Sequence, residues 1–154
     1  MSLDSPENRG KIANLFPNIA SSDFTITSEQ SGDYNCIGWA AEEDYQWWWP
    51  IQYPGFQVAY WPNGCTRQET VEAFTEAFSS IGYQACDDGK SEEGFIKLAI
   101  FCIGAKVTHM SRQLSTGEWA SKLGGAWDIE HGTVESIEGA EYGKAVFFLK
   151  KSVR

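Results

Sequence analysis

The sequence of 154 residues contains few histidines and cysteines, the side chains that most often bind zinc. It contains two histidines, His109 and His131, and four cysteines, none of them in a Cys-x-x-Cys pair. Tetrahedral zinc sites normally show closely spaced ligand pairs, so zinc held by Cys36, His109 and His131 is the least favoured hypothesis. We therefore expect no metal and no other cofactor. The cysteine spacing also predicts free thiols, as is typical of a cytoplasmic protein.

Positive charge is scarce as well. The chain has 12 Lys and Arg against 21 Asp and Glu, a formal net charge of -9, and no basic run longer than Lys150-Lys151. Such a surface repels phosphate backbones and anionic lipids, so neither nucleic acid nor a membrane surface is expected as a partner. No apolar stretch approaches the roughly 20 residues of a membrane span, and the first residues predict no leader. An acidic inhibitor or immunity-type protein that binds a basic protein stays open as a function.

Aromatic residues are the compositional excess, with seven Trp, six Tyr and nine Phe. Prolines interrupt any long regular element in residues 45–62, here called the aromatic loop. Rings on a loop can line a groove for a ligand, and Trp39, Trp48, Trp49 and Trp61 are the candidate binding residues. A non-enzymatic binding module is therefore one hypothesis, and a hydrophobic cluster that covers the core is the other interpretation of the same rings.

Hydrophobic periodicity predicts an α+β domain. Residues 1–10 are polar and predict a flexible terminus, which leaves residues 11–154 as a single domain. A capping-box spacing at Thr66 and apolar residues at helical intervals predict a helix that ends at Ile81. The alternating segments that follow predict an antiparallel meander of about four to five strands, with this helix and a shorter one packed against it.

Cys36 begins the shorter predicted helix, directly after a polar approach. The partial positive charge of a helix N-terminus lowers a thiol pKa, which predicts a reactive cysteine. His109 lies far along the chain in an alternating, strand-like run. A cysteine on a helix and a distant histidine on a strand form the pair that cysteine nucleophiles use, so we hypothesise a Cys36-His109 dyad. The alternative is that both side chains are simply packed in the core.

The order of a cysteine-bearing helix, a second helix and antiparallel strands with a histidine resembles the papain-like fold in its small NlpC-type form. Gln30 stands six residues before Cys36, where papain-like proteases place an oxyanion donor, and Trp39-Ala40 follow the cysteine. The resemblance implies a cysteine peptidase or amidase that acts on a peptide, amide or peptidoglycan-type substrate. Four segments are also similar to an uncharacterised family of small proteins, over about residues 33–150: 35–40, 108–114, 119–124 and 128–131.

In such a hydrolase, the Cys36 thiolate would attack an acyl carbon and the imidazolium of His109 would protonate the leaving group. The oxyanion would be stabilised by the backbone N–H of Cys36 and by the side-chain amide of Gln30 or Asn35.

A third group should orient the imidazole of His109. The candidates are Ser121, Asp128, Glu130 and His131. If the hairpin loop before Ser121 has three residues, 115–117, then Ser121 lies on the same sheet face as His109, whereas a two-residue loop places it on the other face.

Overall fold

The computed structural model describes residues 3–19, 24–55, 58–123 and 126–153. One antiparallel sheet of seven strands is its frame. The helices are α1 (Pro6–Leu15), α2 (Cys36–Ala40) and α3 (Val71–Ser79), with a short 3₁₀ helix at Val134–Ile137. The strands are β1 (Phe24–Ser28), β2 (Gln84–Cys86), β3 (Phe95–Ile103), β4 (Lys106–Gln113), β5 (Trp119–Lys122), β6 (Asp128–His131) and β7 (Lys144–Ser152).

The strand order is β1-β6-β5-β4-β3-β7-β2. The predicted α+β class and the antiparallel meander β3-β4-β5 are confirmed, whereas the prediction of four to five strands is wrong. β1 extends the sheet by pairing with β6, and β2 extends the other end by pairing with β7. Both are short edge strands, and their partners lie far away in the sequence, so local periodicity cannot assign them to the sheet.

The two faces of the sheet carry two separate hydrophobic cores. The first core packs α2, α3 and the aromatic loop against side chains such as Leu98, Ile100 and Met110. The second core packs α1 and the segment around residues 126–142 against the opposite face, including Phe101 and Ile129. Because successive strand residues point to opposite faces, neighbours on one strand enter different cores.

The helix boundaries differ from those predicted. Residues 6–10, part of the predicted flexible terminus, instead form the first half of α1, whose N-terminus is capped by the Ser5 hydroxyl. α3, the helix predicted to begin at Thr66, begins at Val71 instead. The Thr70 hydroxyl caps it by accepting from the backbone N–H of Ala73. Within the described part of the chain, no helix has the length and apolar character that crossing a membrane requires.

A bulge interrupts the β3-β4 ladder next to the first core. Phe101 pairs with His109 and Cys102 pairs with Val107, which leaves Thr108 as the extra residue. Bulges redirect side chains and increase the local twist. Thr108 thereby reaches the wall of the cavity described below.

Candidate functional site

A cavity of about 430 Å³ lies between α2, the β4 bulge and the aromatic loop. Its wall is mostly aromatic and aliphatic. The lining residues are Asn35, Cys36, Trp47, Trp49, Ile51, Tyr53, Gly55, Ala59, Thr108 and Tyr142. This volume lies within the range of sites for small organic ligands.

The middle tryptophan of the Trp47-Trp48-Trp49 run points away from its two neighbours. Trp48 is 1% exposed and packs against Phe78, while Trp47 and Trp49 line the cavity. The three rings therefore do not all face one way. This alternation anchors the loop in the first core and leaves two rings for the cavity.

The carboxylate of Glu69 holds two of the cavity-lining rings. It accepts hydrogen bonds from the Trp49 indole at 2.7 Å and from the Tyr53 hydroxyl at 2.9 Å. Its other oxygen lies 3.3 Å from the Lys106 amine. Because Glu69 is used here, it does not close a capping box with Thr66, whose backbone N–H bonds to Glu76 instead.

Three of the four predicted ligand-binding tryptophans do not line the cavity. Trp48 and Trp61 are buried in the first core, where the Trp61 indole donates to the Thr66 carbonyl at 2.9 Å. Trp39 is half-buried on α2, with the Arg112 guanidinium 4.2 Å from its ring centroid. Trp49 alone of the four has the predicted position. Sequence reasoning missed Tyr142, because nothing in its local pattern connects it to the aromatic loop.

Cys36 lines the cavity but is 6% exposed. Burial raises the pKa of its thiol from 9.0 to about 11, although the backbone N–H groups of Met110, Cys36 and Ile37 favour the thiolate. The predicted lowering of the pKa by the helix N-terminus is therefore wrong, because desolvation outweighs it. At neutral pH the sulfur is a protonated thiol and a weak nucleophile.

His109 lies on the opposite face of the sheet from Cys36. Its ring stacks on Tyr142 at a centroid distance of 3.9 Å and contacts Phe101 edge-on, in the second core. Its strand neighbour Met110 enters the first core, where Cys36 lies. The predicted Cys36-His109 dyad is not formed, because the one-residue alternation of β4 sends the imidazole to the other side. Burial holds the pKa of His109 well below 6.5.

Ser121 and His131 meet on the face that carries His109. The hairpin loop has three residues, since the Leu114 backbone N–H bonds to the Glu118 carbonyl, and Ser121 accordingly faces the second core. The Ser121 hydroxyl is 2.7 Å from His131 Nε2 and 2.6 Å from the Ser111 hydroxyl. His131 Nδ1 lies 2.8 Å from the Thr133 carbonyl, which accepts, so Nε2 accepts from Ser121.

This serine-histidine chain has the bonding of a nucleophile and a base, but both members are fully buried. Its proton positions are set by a backbone carbonyl. Neither Ser121 nor His131 bonds to His109, so the prediction that one of them orients the His109 imidazole is wrong. We interpret this series of hydrogen bonds as a structural network that links β4, β5 and β6.

Asp128 and its neighbour Glu130 do not reach His109 either. Asp128 is buried on the α2 side, where it accepts from the Tyr34 hydroxyl at 2.6 Å and lies 3.7 Å from the Lys122 amine. Burial and this carboxylate raise the pKa of Tyr34 to about 12. Glu130 is exposed. Asp128 therefore belongs to a buried ion pair beneath α2.

The two predicted oxyanion donors do not serve that purpose. Gln30 is exposed and is not part of the cavity wall. Asn35 caps α2, since its Oδ1 accepts from the backbone N–H groups of Gly38 and Trp48 at 3.0 Å, and its amide donates to the Trp48 carbonyl. Asn35 thus joins α2 to the aromatic loop and shapes the cavity.

No described group of three or more His, Cys, Asp or Glu side chains has an arrangement that could hold a metal ion. The three residues of the zinc hypothesis are separated by the sheet, with Cys36 in the first core and His109 on the opposite face with His131.

Alkylation with iodoacetamide at pH 7.5 should modify Cys36 more slowly than Cys65. Cys36 is buried and its thiol pKa is raised to about 11, whereas Cys65 is partly exposed. Mass spectrometry of tryptic peptides over a time course would measure the two labelling rates. The urea-unfolded protein is the control, because unfolding exposes both thiols and should make their rates equal. His109→Ala should not alter the rate at Cys36 in the folded protein. Fastest labelling at Cys36 would contradict this placement.

These features define a class, an α+β domain whose seven-stranded antiparallel sheet carries an aromatic-lined cavity. The chain belongs to the family described as Domain of unknown function (DUF7689), whose model matches residues 25–150. The matched range contains the whole aromatic loop, α2 and α3, and begins after α1. No curated protein and no solved structure is significantly similar to the chain.

Proposed function

We propose that the protein is a non-enzymatic binding module that takes a small, largely apolar ligand into the aromatic-lined cavity. The observation that carries this proposal is the wall itself, in which Trp47, Trp49, Ile51, Tyr53 and Tyr142 surround about 430 Å³. Flat rings give a large contact area at a small cost in conformational entropy.

Hydrogen bonds from residues next to the cavity hold its wall in place, which favours a preformed site. Asn35 ties α2 to Trp48, and Glu69 holds the rings of Trp49 and Tyr53. A preformed cavity spends less binding energy on ordering its own side chains.

The neutral fluorescent probe N-phenyl-1-naphthylamine should bind with a stoichiometry of one per chain. Ala59→Phe places a ring in the cavity wall and should weaken probe binding by at least about ten-fold, because the added volume competes with the probe. Fluorescence titration would measure both dissociation constants.

Ala85→Phe is the matched control, because Ala85 is exposed on the edge strand β2. It adds the same ring outside the cavity and should leave probe binding unchanged. Equal affinity of the wild type and the Ala59→Phe variant, with both folded, would contradict the proposal.

The papain-like, NlpC-type hydrolase is the second candidate, and one observation favours it: Cys36 lines the same cavity. It would need a base other than His109 and a thiolate at a site where burial raises the thiol pKa to about 11. Hydrolysis of p-nitrophenyl acetate by the wild type, with no reaction above buffer for Cys36→Ala, would favour this candidate over the binding module.

A further inference from the structure

The hydrogen-bond donors of three cavity-lining rings are already used inside the protein. The Trp47 indole donates to the Gly32 carbonyl at 2.7 Å. The Trp49 indole and the Tyr53 hydroxyl both donate to one oxygen of Glu69. The surface that these rings contribute to the cavity is therefore carbon and π-electron density rather than N–H or O–H groups.

Asn35 and Thr108, two further polar residues of the wall, are engaged in the same way. The Asn35 amide donates to the Trp48 carbonyl at 2.8 Å. The Thr108 hydroxyl lies 2.5 Å from the Tyr142 carbonyl and 3.2 Å from the Phe101 carbonyl, so its hydrogen is directed to the backbone. An anionic ligand would find these donors occupied, and its desolvation would go uncompensated.

The electrostatics of the cavity favour a cationic ligand over an anionic one. The described cavity wall contains no charged side chain, and the carboxylate behind it, Glu69, makes the rings of Trp49 and Tyr53 richer in electrons through the bonds that it accepts. Lys106 offsets part of that charge, but its side chain is 62% exposed and the pair is screened by solvent. The net charge of -9 attracts cations towards the protein.

Resting on the proposed function, we infer that the cavity selects alkylammonium cations over neutral ligands of the same shape. The cation would contact the aromatic wall formed by Trp47, Trp49, Tyr53 and Tyr142. The attraction between a desolvated ammonium and ring faces is the physical basis of quaternary-ammonium recognition in proteins. The apolar wall and the methyl groups of such a cation also remove each other from water.

Choline and 3,3-dimethylbutan-1-ol are the matched probes, since they share one shape and differ by a positive nitrogen against a carbon. Isothermal titration calorimetry at constant ionic strength should give choline the smaller dissociation constant by about ten-fold. Equal affinity, or tighter binding of the alcohol, would overturn the ligand class and leave the binding module standing. If neither choline nor the alcohol binds, the inferred ligand class is overturned. If the naphthylamine probe does not bind either, the proposed function is overturned as well.

Glu69→Gln separates the ring electrostatics from the shape of the cavity. Glutamine keeps an oxygen acceptor for Trp49 and Tyr53 but removes the charge, so the preference for choline should fall by about three-fold. Glu130→Gln removes the same charge from an exposed position on β6 and should leave the preference unchanged. An equal change in both variants would show a general effect of net charge and would overturn the role given to the aromatic wall.

Discussion

Replacing Asp128 by Asn should lower the free energy of unfolding by about 3–5 kcal/mol, because the amine of Lys122 would then be buried without a carboxylate beside it. Lys122 is 0% exposed and Asp128 is 3% exposed. Asparagine keeps an oxygen that can accept from the Tyr34 hydroxyl, so the substitution removes mainly the charge. Urea unfolding at pH 7, followed by tryptophan fluorescence, would measure the loss.

The remaining contacts of Lys122 do not replace the carboxylate. Its amine donates to the Ala126 carbonyl and lies 4.5 Å from the centroid of the Tyr34 ring. Burial lowers the pKa of the Lys122 amine, and Asp128 opposes that shift. Without Asp128 the chain must either bury a lone charge or release the proton, and both cost free energy.

Two further variants sharpen this prediction. Lys122→Met in the Asp128→Asn background should recover most of the lost stability, because it removes the uncompensated charge and keeps the apolar stem. Glu130→Gln, an exposed neighbour on the same strand, should change the stability by less than about 0.5 kcal/mol. A loss of similar size for Asp128→Asn and Glu130→Gln would contradict the buried-pair argument.

Acidification from pH 7.5 to pH 5 should lower the stability by about 2 kcal/mol through His131, and His109 should add to that loss. Burial lowers the pKa of His131 from 6.5 to about 4 and that of His109 well below 6.5. In this interval the unfolded chain binds a proton at each imidazole and the folded protein does not, so stability falls as the pH falls. Urea unfolding at pH 7.5, 6.5 and 5 would measure it.

His109→Phe isolates one of the two contributions. A phenyl ring can keep the stacking on Tyr142 and the contact with Phe101, but it does not titrate. The loss between pH 7.5 and pH 5 should then be smaller than in the wild type and approach the roughly 2 kcal/mol that His131 contributes alone. Acidic side chains whose pKa is lowered, such as Asp88 and Glu92, lose their contribution to stability mainly below pH 5. They therefore do not affect the comparison of the variant with the wild type. An unchanged pH dependence would show that His109 is not the buried neutral group described above.

The position of His109 shows that similar sequence segments do not determine which side chains share a site. The sequence-based hypothesis places Cys36, His109, Ser121 and His131 in one site, but in the structure they form two separate groups on opposite faces of one sheet. A resemblance of segments carries the residue types and their order along the chain. It does not carry the face of the strand on which each side chain lies, and that face decides the chemistry.

The sequence by itself determined the α+β class, the meander of β3, β4 and β5, and the segment that lines the cavity, because these follow from local periodicity, turn residues and loop composition. Tertiary structure alone decided which residues share a site. The bulge at Thr108 and the alternation along β4 set the position of His109, and burial set the high pKa of Cys36. Both depend on contacts with strands and helices far along the chain, and a side-chain direction reverses with every residue of a strand.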